Sequence, residues 1–456
     1  MKQTIANVLD DSDRAVLLHP FTDFAAHKRT GGRAFVAAEH IYLTDAQGKQ
    51  YMDGMSGLWC VNLGYSQPKI VRAVTEQLER LPYYNSFFNC TTDTTIEMAA
   101  RLTAVLPEGF NHVFFTNSGS EANDTNIRLV HRYFDLTGQP RRKLVISRKN
   151  AYHGSTIAAA SLGGMSGMHK QFTGLPYVHH IEQPYAFENA GELDEEAYGK
   201  AAARLLSEKI DELGEANVAA FIAEPVQGAG GVIIPPPNYL AEVGRICAER
   251  GVLLISDEVI CGFGRTGEWF GCQTYGVQPD LITFAKAVTN GFQALGGVAV
   301  ADKVADVLTA EGGEFAHGFT YSGHPVACAA GVATLDIYRE TAIVEKVQQD
   351  TAHHWRNRWG ALIDHPIVGE ARTLGLFGAL ELVRDKASRQ RIDADHRAAI
   401  HCRNAAIDNG LMVRQVGDTI ISAPPLIVTR EEIDELIHHL TIALDATARH
   451  YGLNRL

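Results

Sequence analysis

Between about Val113 and Gly297, short runs rich in β-branched residues alternate with longer stretches of helical period, and this limits the folds open to the chain more than any other feature. The runs are HVFFT, KLVIS, VAAFIAEP, VLLISDEV and DLITFAK, with helices expected over Glu121–Leu136 and Tyr239–Arg250 between them. Such alternation predicts an α/β fold with a mostly parallel sheet and helices on both faces. In sheets of this kind ligands sit at the carboxyl ends of the strands. The polar residues just after each run are therefore where chemistry is expected.

At 456 residues the chain exceeds a single core, since domains typically run about 100–200 residues. After about Ala330 the pattern changes to amphipathic helices, Ala342–Ala361, His396–Asn409 and Glu431–Tyr451, framing short strands around GLFGALEL and TIISAPPLI. This reads as a smaller α+β domain. Near the start, HIYLTDAQGKQYMDG reads as a hairpin that packs with that domain. The expected division is an N-terminal segment over 1–65, a large domain over 66–330 and a small domain over 331–456.

A formal charge of −12 argues against nucleic acid, whose binders need a basic surface. The local run Arg141, Arg142 and Lys143 reads as a solvated loop before a strand. Seven scattered cysteines contain no C-x-x-C pair, which suits a reducing compartment. The first residues carry no basic-then-apolar leader pattern, and no window reaches the ~18 apolar residues of a membrane span. A soluble cytoplasmic protein acting on small molecules, with no membrane partner, is the expectation. Histidines such as His179–His180 and His438–His439 come as adjacent pairs, which do not converge as i, i+4 pairs do, so no metal is expected. His317 is assigned no chemistry. Gly262–Gly267 fits G-x-G-x-x-G after a strand, but the EWFGCQTYG that follows does not read as the helix a dinucleotide site requires.

Three strand ends carry the chemistry. Lys286 follows LITF; burial would lower its pKa and make it an imine-forming nucleophile, although in isolation a salt-bridged or snorkelling lysine is the commoner reading. Asp257 ends VLLISD and can hold a pyridine nitrogen protonated, or simply cap a helix or pair with an arginine. Val259, two places on, would point the same way and pack against a ring. In TNSGSEAND the chain turns from strand to helix at Ser118, Gly119 and Ser120, a candidate phosphate cup or an ordinary N-cap with Glu121 as first-turn acid. One cofactor, pyridoxal 5'-phosphate (PLP), asks for all three at once.

TNSGSEAND, NAYHG, AEPVQGAGG, SDEVICGFGRTG, the FAK lysine and HGFTYSGHP, in that order, resemble the class III (omega) aminotransferases of PLP fold type I, over nearly the whole chain. MSGLWCVNLGYS, LPYYNSFF and SLGGM look most like the putrescine/diamine–pyruvate branch. The resemblance implies a large domain with a seven-stranded, mostly parallel sheet. It implies that Ser118, Gly119 and Ser120 hold the phosphate, that Tyr152 and Val259 flank the ring, that Asp257 pairs with its nitrogen and that Lys286 is the Schiff-base lysine. Glu224 would join the polar network beneath the cofactor. Phe319 and Thr320 would come from a neighbouring subunit of a homodimer or dimer of dimers. Trp59, Phe88 and Tyr152 would line the substrate pocket, and Arg414 would bind the acceptor's carboxylate. The implied reaction is amine–pyruvate transamination; an omega-amino acid such as beta-alanine as donor, or another fold-type-I PLP activity, stays open.

Overall fold

The computed structural model describes residues 2–453; Met1 and residues 454–456, at the ends of the outer two expected segments, lie outside them. Strands β1 (Phe35–Glu39), β2 (Tyr42–Asp45) and β3 (Gln50–Asp53) form an antiparallel meander. The hairpin of β2 and β3 is the one that HIYLTDAQGKQYMDG predicts. Asp45 closes its turn, Oδ1 accepting from the N–H groups of Gln47 and Lys49 at 2.9 Å each.

The central sheet has seven strands: β4 (His112–Thr116), β5 (Leu144–Arg148), β6 (Val178–Ile181), β7 (Val218–Ala223), β8 (Leu253–Asp257), β9 (Leu281–Phe284) and β10 (Gly296–Val300). Their order is β4-β10-β9-β8-β7-β5-β6. Only β10 runs against its neighbours, and the other pairings are parallel. Helices cover both faces, which leaves β7, β8 and β9 buried along their whole length and explains their mainly apolar sequences, the polar Ser256 and Asp257 falling at the carboxyl end of β8. The predicted helices Glu121–Leu136 and Tyr239–Arg250 are present, the first opening two residues earlier at Gly119.

Strands β11 (Val368–Leu374), β12 (Phe377–Leu382), β13 (Leu411–Met412), β14 (Arg414–Val416) and β15 (Thr419–Ser422) follow. β11, β12, β15 and β14 make an antiparallel sheet, while β13 pairs in parallel with β3 and ties the opening meander to the C-terminal part. The helices Arg397–Asp408 and Arg430–His450 fall within a residue of expectation. The expected helix Ala342–Ala361 is interrupted by a π-helical turn over Val347–Thr351. Beyond that turn Trp355 and Trp359 stack at 4.8 Å and donate Nε1–H to the carbonyls of Phe377 and Ala379, fastening helix to sheet. Among the described residues no helix is long and apolar enough to cross a membrane.

Candidate active site

The carboxyl ends of β4, β5, β7, β8 and β9 meet at a cavity of about 330 Å³. Its wall includes Ser118, Gly119, Ser120, Tyr152, Glu224, Asp257, Val259 and Lys286, all singled out from the sequence, together with Cys60, Asn117 and His153.

Asp257, the last residue of β8, is buried and held from several sides. Its Oδ2 lies 2.7 Å from His153 Nδ1 and accepts from Asn123 Nδ2 at 2.8 Å; Oδ1 accepts from the Val259 N–H at 3.2 Å. Asn123 is fixed in turn, donating to the His153 carbonyl at 2.7 Å and accepting from Thr283 Oγ1 at 2.8 Å. His153 and Asn123 escaped the sequence reading. Both lie inside the motifs NAYHG and TNSGSEAND, but neither residue type announces a partner more than a hundred residues along the chain. Glu224 is buried at the end of β7, and desolvation pushes its carboxyl above the usual range. Its two oxygens accept from the Tyr152 and Gly228 N–H groups at 3.0 Å each, which fixes the backbone beneath the Tyr152 ring.

The turn at Ser118 combines both roles left open by the sequence. Ser118 Oγ caps the helix by accepting from the Glu121 N–H at 3.2 Å, and Glu121 Oε2 accepts from the Asn117 N–H at 2.8 Å. The first-turn N–H groups of Gly119 and Ser120 precede any intrahelical acceptor and leave an anion site beside the cavity. Gly119 is required there, since a Cβ would stand 2.8 Å from Val259 Cγ2.

Lys286 starts a 3-10 turn directly after β9 with φ of +52°, a conformation that costs a non-glycine residue about 1 kcal/mol or more and clusters at functional sites. Its amine has no hydrogen-bond or ion-pair partner among the described residues. Desolvation pushes its ammonium pKa down, opposed by Asp257, Cys60 and Glu224 and reinforced by Arg414. Arg414, on β14, likewise has no carboxylate or hydrogen-bond partner among the described residues. Its Cζ lies 5.2 Å over the ring of the buried Trp59, and desolvation lowers its pKa.

Three expectations need restating for the single chain. Phe88 does not line the cavity: its side chain is 89% exposed on an outward loop. Trp59 packs in an apolar cluster with Met55, Ile260 and Phe377, its neighbour Cys60 forming the wall. Phe319 and Thr320 stand outside their own chain's cavity, with Thr320 exposed and its carbonyl accepting from Tyr83 Oη at 2.7 Å. Phe21, not foreseen, brings its ring within 6.1 Å of Tyr152. The Gly262–Gly267 loop opens no helix and instead delivers the buried Arg265.

A parallel-sheet cavity holding an unpaired lysine, a braced aspartate and a helix N-terminus defines a PLP-dependent transferase of fold type I, and the chain belongs to the aminotransferase class-III family, which matches residues 25–444. It is 50% identical over 432 residues to the putrescine–pyruvate aminotransferase of Pseudomonas aeruginosa, covering 94% of each chain. Among solved structures it resembles an (S)-enantioselective omega-transaminase from Thermomicrobium roseum, at TM-score 0.94 and 40% identity over 97% of this chain and 99% of that one. It also resembles the omega-transaminase of Pseudomonas jessenii in complex with PMP, at TM-score 0.95 and 38% identity over 98% and 100%. The residues present fit PLP: the amine of Lys286 is free, Asp257 Oδ1 has a single partner, and a Cβ on Gly154 would meet Ser120 Oγ at 2.5 Å in the cup.

Proposed function

We propose that this aminotransferase moves the amino group of putrescine, or a related primary amine, to pyruvate, giving an aldehyde or ketone and alanine. The observation that carries the reading is Arg414, a partly buried guanidinium without a carboxylate partner beside the cavity that Lys286 enters. An unpaired cation in such a place suits a substrate that brings its own carboxylate, as an oxo acid does. The diamine as donor is supported by the likeness to the Pseudomonas aeruginosa enzyme.

PLP, when bound, supplies a carbonyl that takes up the amino group and a ring that withdraws electrons from the reacting carbon. Ser118, Gly119 and Ser120 would hold its phosphate through N–H and hydroxyl donors, and Tyr152 and Val259 would flank its ring. Asp257, held by His153 and Asn123, would keep a proton on the ring nitrogen. Lys286 Nζ would take the proton from the carbon that bears the amine, as general base, and deliver it as general acid to the carbon that was the cofactor's carbonyl. Its lowered pKa keeps more of the amine neutral for this work. Arg414 turns outward while a plain amine is bound and inward for the oxo acid.

The assembly we propose is a homodimer in which Phe319 and Thr320 of the partner subunit complete the cup, since neither reaches the cavity of its own chain. With it goes a division into a PLP-binding body over 66–330 and a smaller body made of 1–65 and 331–456, supported by the β3–β13 pairing.

The test is alanine formation from pyruvate with putrescine, cadaverine, beta-alanine and 1-phenylethylamine as donors. Putrescine or cadaverine is expected to lead, and a lead by beta-alanine would reassign the donor. Arg414→Ala is expected to raise KM for pyruvate about 10- to 100-fold, the weight of a charged hydrogen bond, while leaving KM for putrescine nearly unchanged. Equal increases for the two substrates would count against the role of Arg414.

A further inference from the structure

Away from the catalytic cavity, the N-terminal helix Lys2–Val16 and the helix Phe24–Thr30 bring three metal-ligating side chains together across the loop that joins them. Asp13 lies near the end of the first helix, His19 in the loop and His27 on the second helix. His19 Nε2 is 2.7 Å from Asp13 Oδ1, and His27 Nε2 is 3.0 Å from Asp13 Oδ2. One ligand atom from each residue falls within 4.8 Å of the others, and the two rings lie 4.4 Å apart. The His27 side chain is only 11% exposed, and its Nε2 is buried without a satisfactory hydrogen bond despite the nearby carboxylate. A buried imidazole nitrogen aimed at a shared carboxylate, with a second imidazole beside it, is an arrangement that an ion resolves better than protons do.

We propose that Asp13, His19 and His27 form a binding site for a divalent transition-metal ion of the zinc class. Two imidazole nitrogens and one carboxylate oxygen are borderline donors suited to Zn²⁺ and its neighbours, whereas Mg²⁺ and Ca²⁺ take oxygen ligands. Around a tetrahedral zinc with bonds of about 2.0–2.1 Å, ligand atoms stand about 3.3 Å apart. The two contacts, at 2.7 and 3.0 Å to different oxygens of Asp13, are a few tenths of an ångström shorter than that separation and would open slightly around the ion, with water in the fourth position. The irregular spacing of the three residues gives no motif, which is why the pairwise pattern of the other histidines concealed it. The ion would join both helices and fix the loop between them. That loop carries Phe21, 72% exposed, with φ of +50° and its ring near Tyr152.

The full-length PLP-loaded enzyme, stripped with EDTA and exchanged into metal-free buffer, is titrated with Zn²⁺ alone by calorimetry, and zinc is located by anomalous scattering in soaked crystals. One zinc per chain is expected between these three side chains, with Kd of about 10 µM or tighter. His27→Asn should weaken it by more than about 100-fold, beyond the 10- to 100-fold typical of outer partners, with the PLP absorbance unchanged. If His27→Asn loses that absorbance, His19→Ala makes the same comparison. No stoichiometric binding, an anomalous peak elsewhere, or undiminished affinity in the folded variant would overturn the site.

Discussion

Asp257, buried, and Lys286, half-buried at the cavity wall, are charges treated in opposite ways. The aspartate is contacted by three donors, whereas the lysine amine has no hydrogen-bond or ion-pair partner among the described residues. A group that must change partners during turnover cannot be tied down, and one that must hold a proton in place has to be. Removing the amine should therefore leave the cup and the Asp257 network standing. Lys286→Ala is expected to retain PLP but to lose the visible absorbance of lysine-bound cofactor and essentially all transamination, by more than about 10⁴-fold. Spectra and alanine formation measured on the purified variant check both halves, and retention of either property would remove Lys286 from the reaction. Taken one at a time, these residues were ambiguous in the sequence. Lysine, aspartate and a serine-glycine-serine turn each have ordinary structural uses, and only their joint position at strand ends points to one cofactor. His153 was invisible because its role depends on β5 and β8 approaching, which no local pattern records.

At the scale of the element, the site is made by strands that stop together. Five mainly apolar runs announced β4, β5, β7, β8 and β9; burial on both faces accounts for β7, β8 and β9, whereas β4 lies at the sheet edge and is half-exposed. β6 and β10 were not legible. VHHI mixes two histidines into a half-buried edge strand, and GGVAV begins with residues of low strand propensity. The helix Pro325–Thr341 was missed for the opposite reason: it is apolar on nearly every side and has no amphipathic period. The glycines of β10 are there for space. A Cβ on Gly296 would meet the backbone carbonyl carbon and oxygen of Ser118 at 2.7 Å each and the Phe284 carbonyl oxygen at 3.1 Å, atoms that cannot rotate away. Gly296→Ala is thus expected to push the Ser118 turn off its place, destabilising the protein by about 1–3 kcal/mol and weakening PLP binding. Gly167→Ala, where nothing lies within 4 Å, is the control. Thermal unfolding and PLP titration of the pair decide it: equal behaviour would show that β10 yields.

Across the whole molecule, one side chain joins parts of the sequence that lie far apart. Arg265 is buried and has no carboxylate ion pair among the described residues; Nη1 donates to the carbonyls of Leu376 and Pro424 at 3.3 and 2.5 Å, and Nη2 to Ser56 Oγ and Asn62 Oδ1 at 2.8 and 2.7 Å. Four acceptors from the N-terminal and C-terminal segments thus converge on a loop that follows β8, two of them, Ser56 and Asn62, flanking in sequence the cavity-wall residue Cys60. Burial lowers its pKa to about 10, so the guanidinium remains charged at neutral pH and all these donors persist. The sequence placed Arg265 inside a glycine pattern that imitates a dinucleotide loop, and nothing local revealed that its partners lie so far along the chain. Arg265→Leu keeps apolar volume but leaves these acceptors buried and unpaired, at about 1–3 kcal/mol for each that water cannot reach. A loss of about 3 kcal/mol or more is expected, with the N-terminal and C-terminal segments becoming cleavable by protease before the central sheet unfolds. Limited proteolysis beside denaturant unfolding of the PLP-loaded enzyme measures both. If Arg265→Leu unfolds at the wild-type midpoint and resists protease equally, the segments are held by their apolar contacts and the β3–β13 pairing instead.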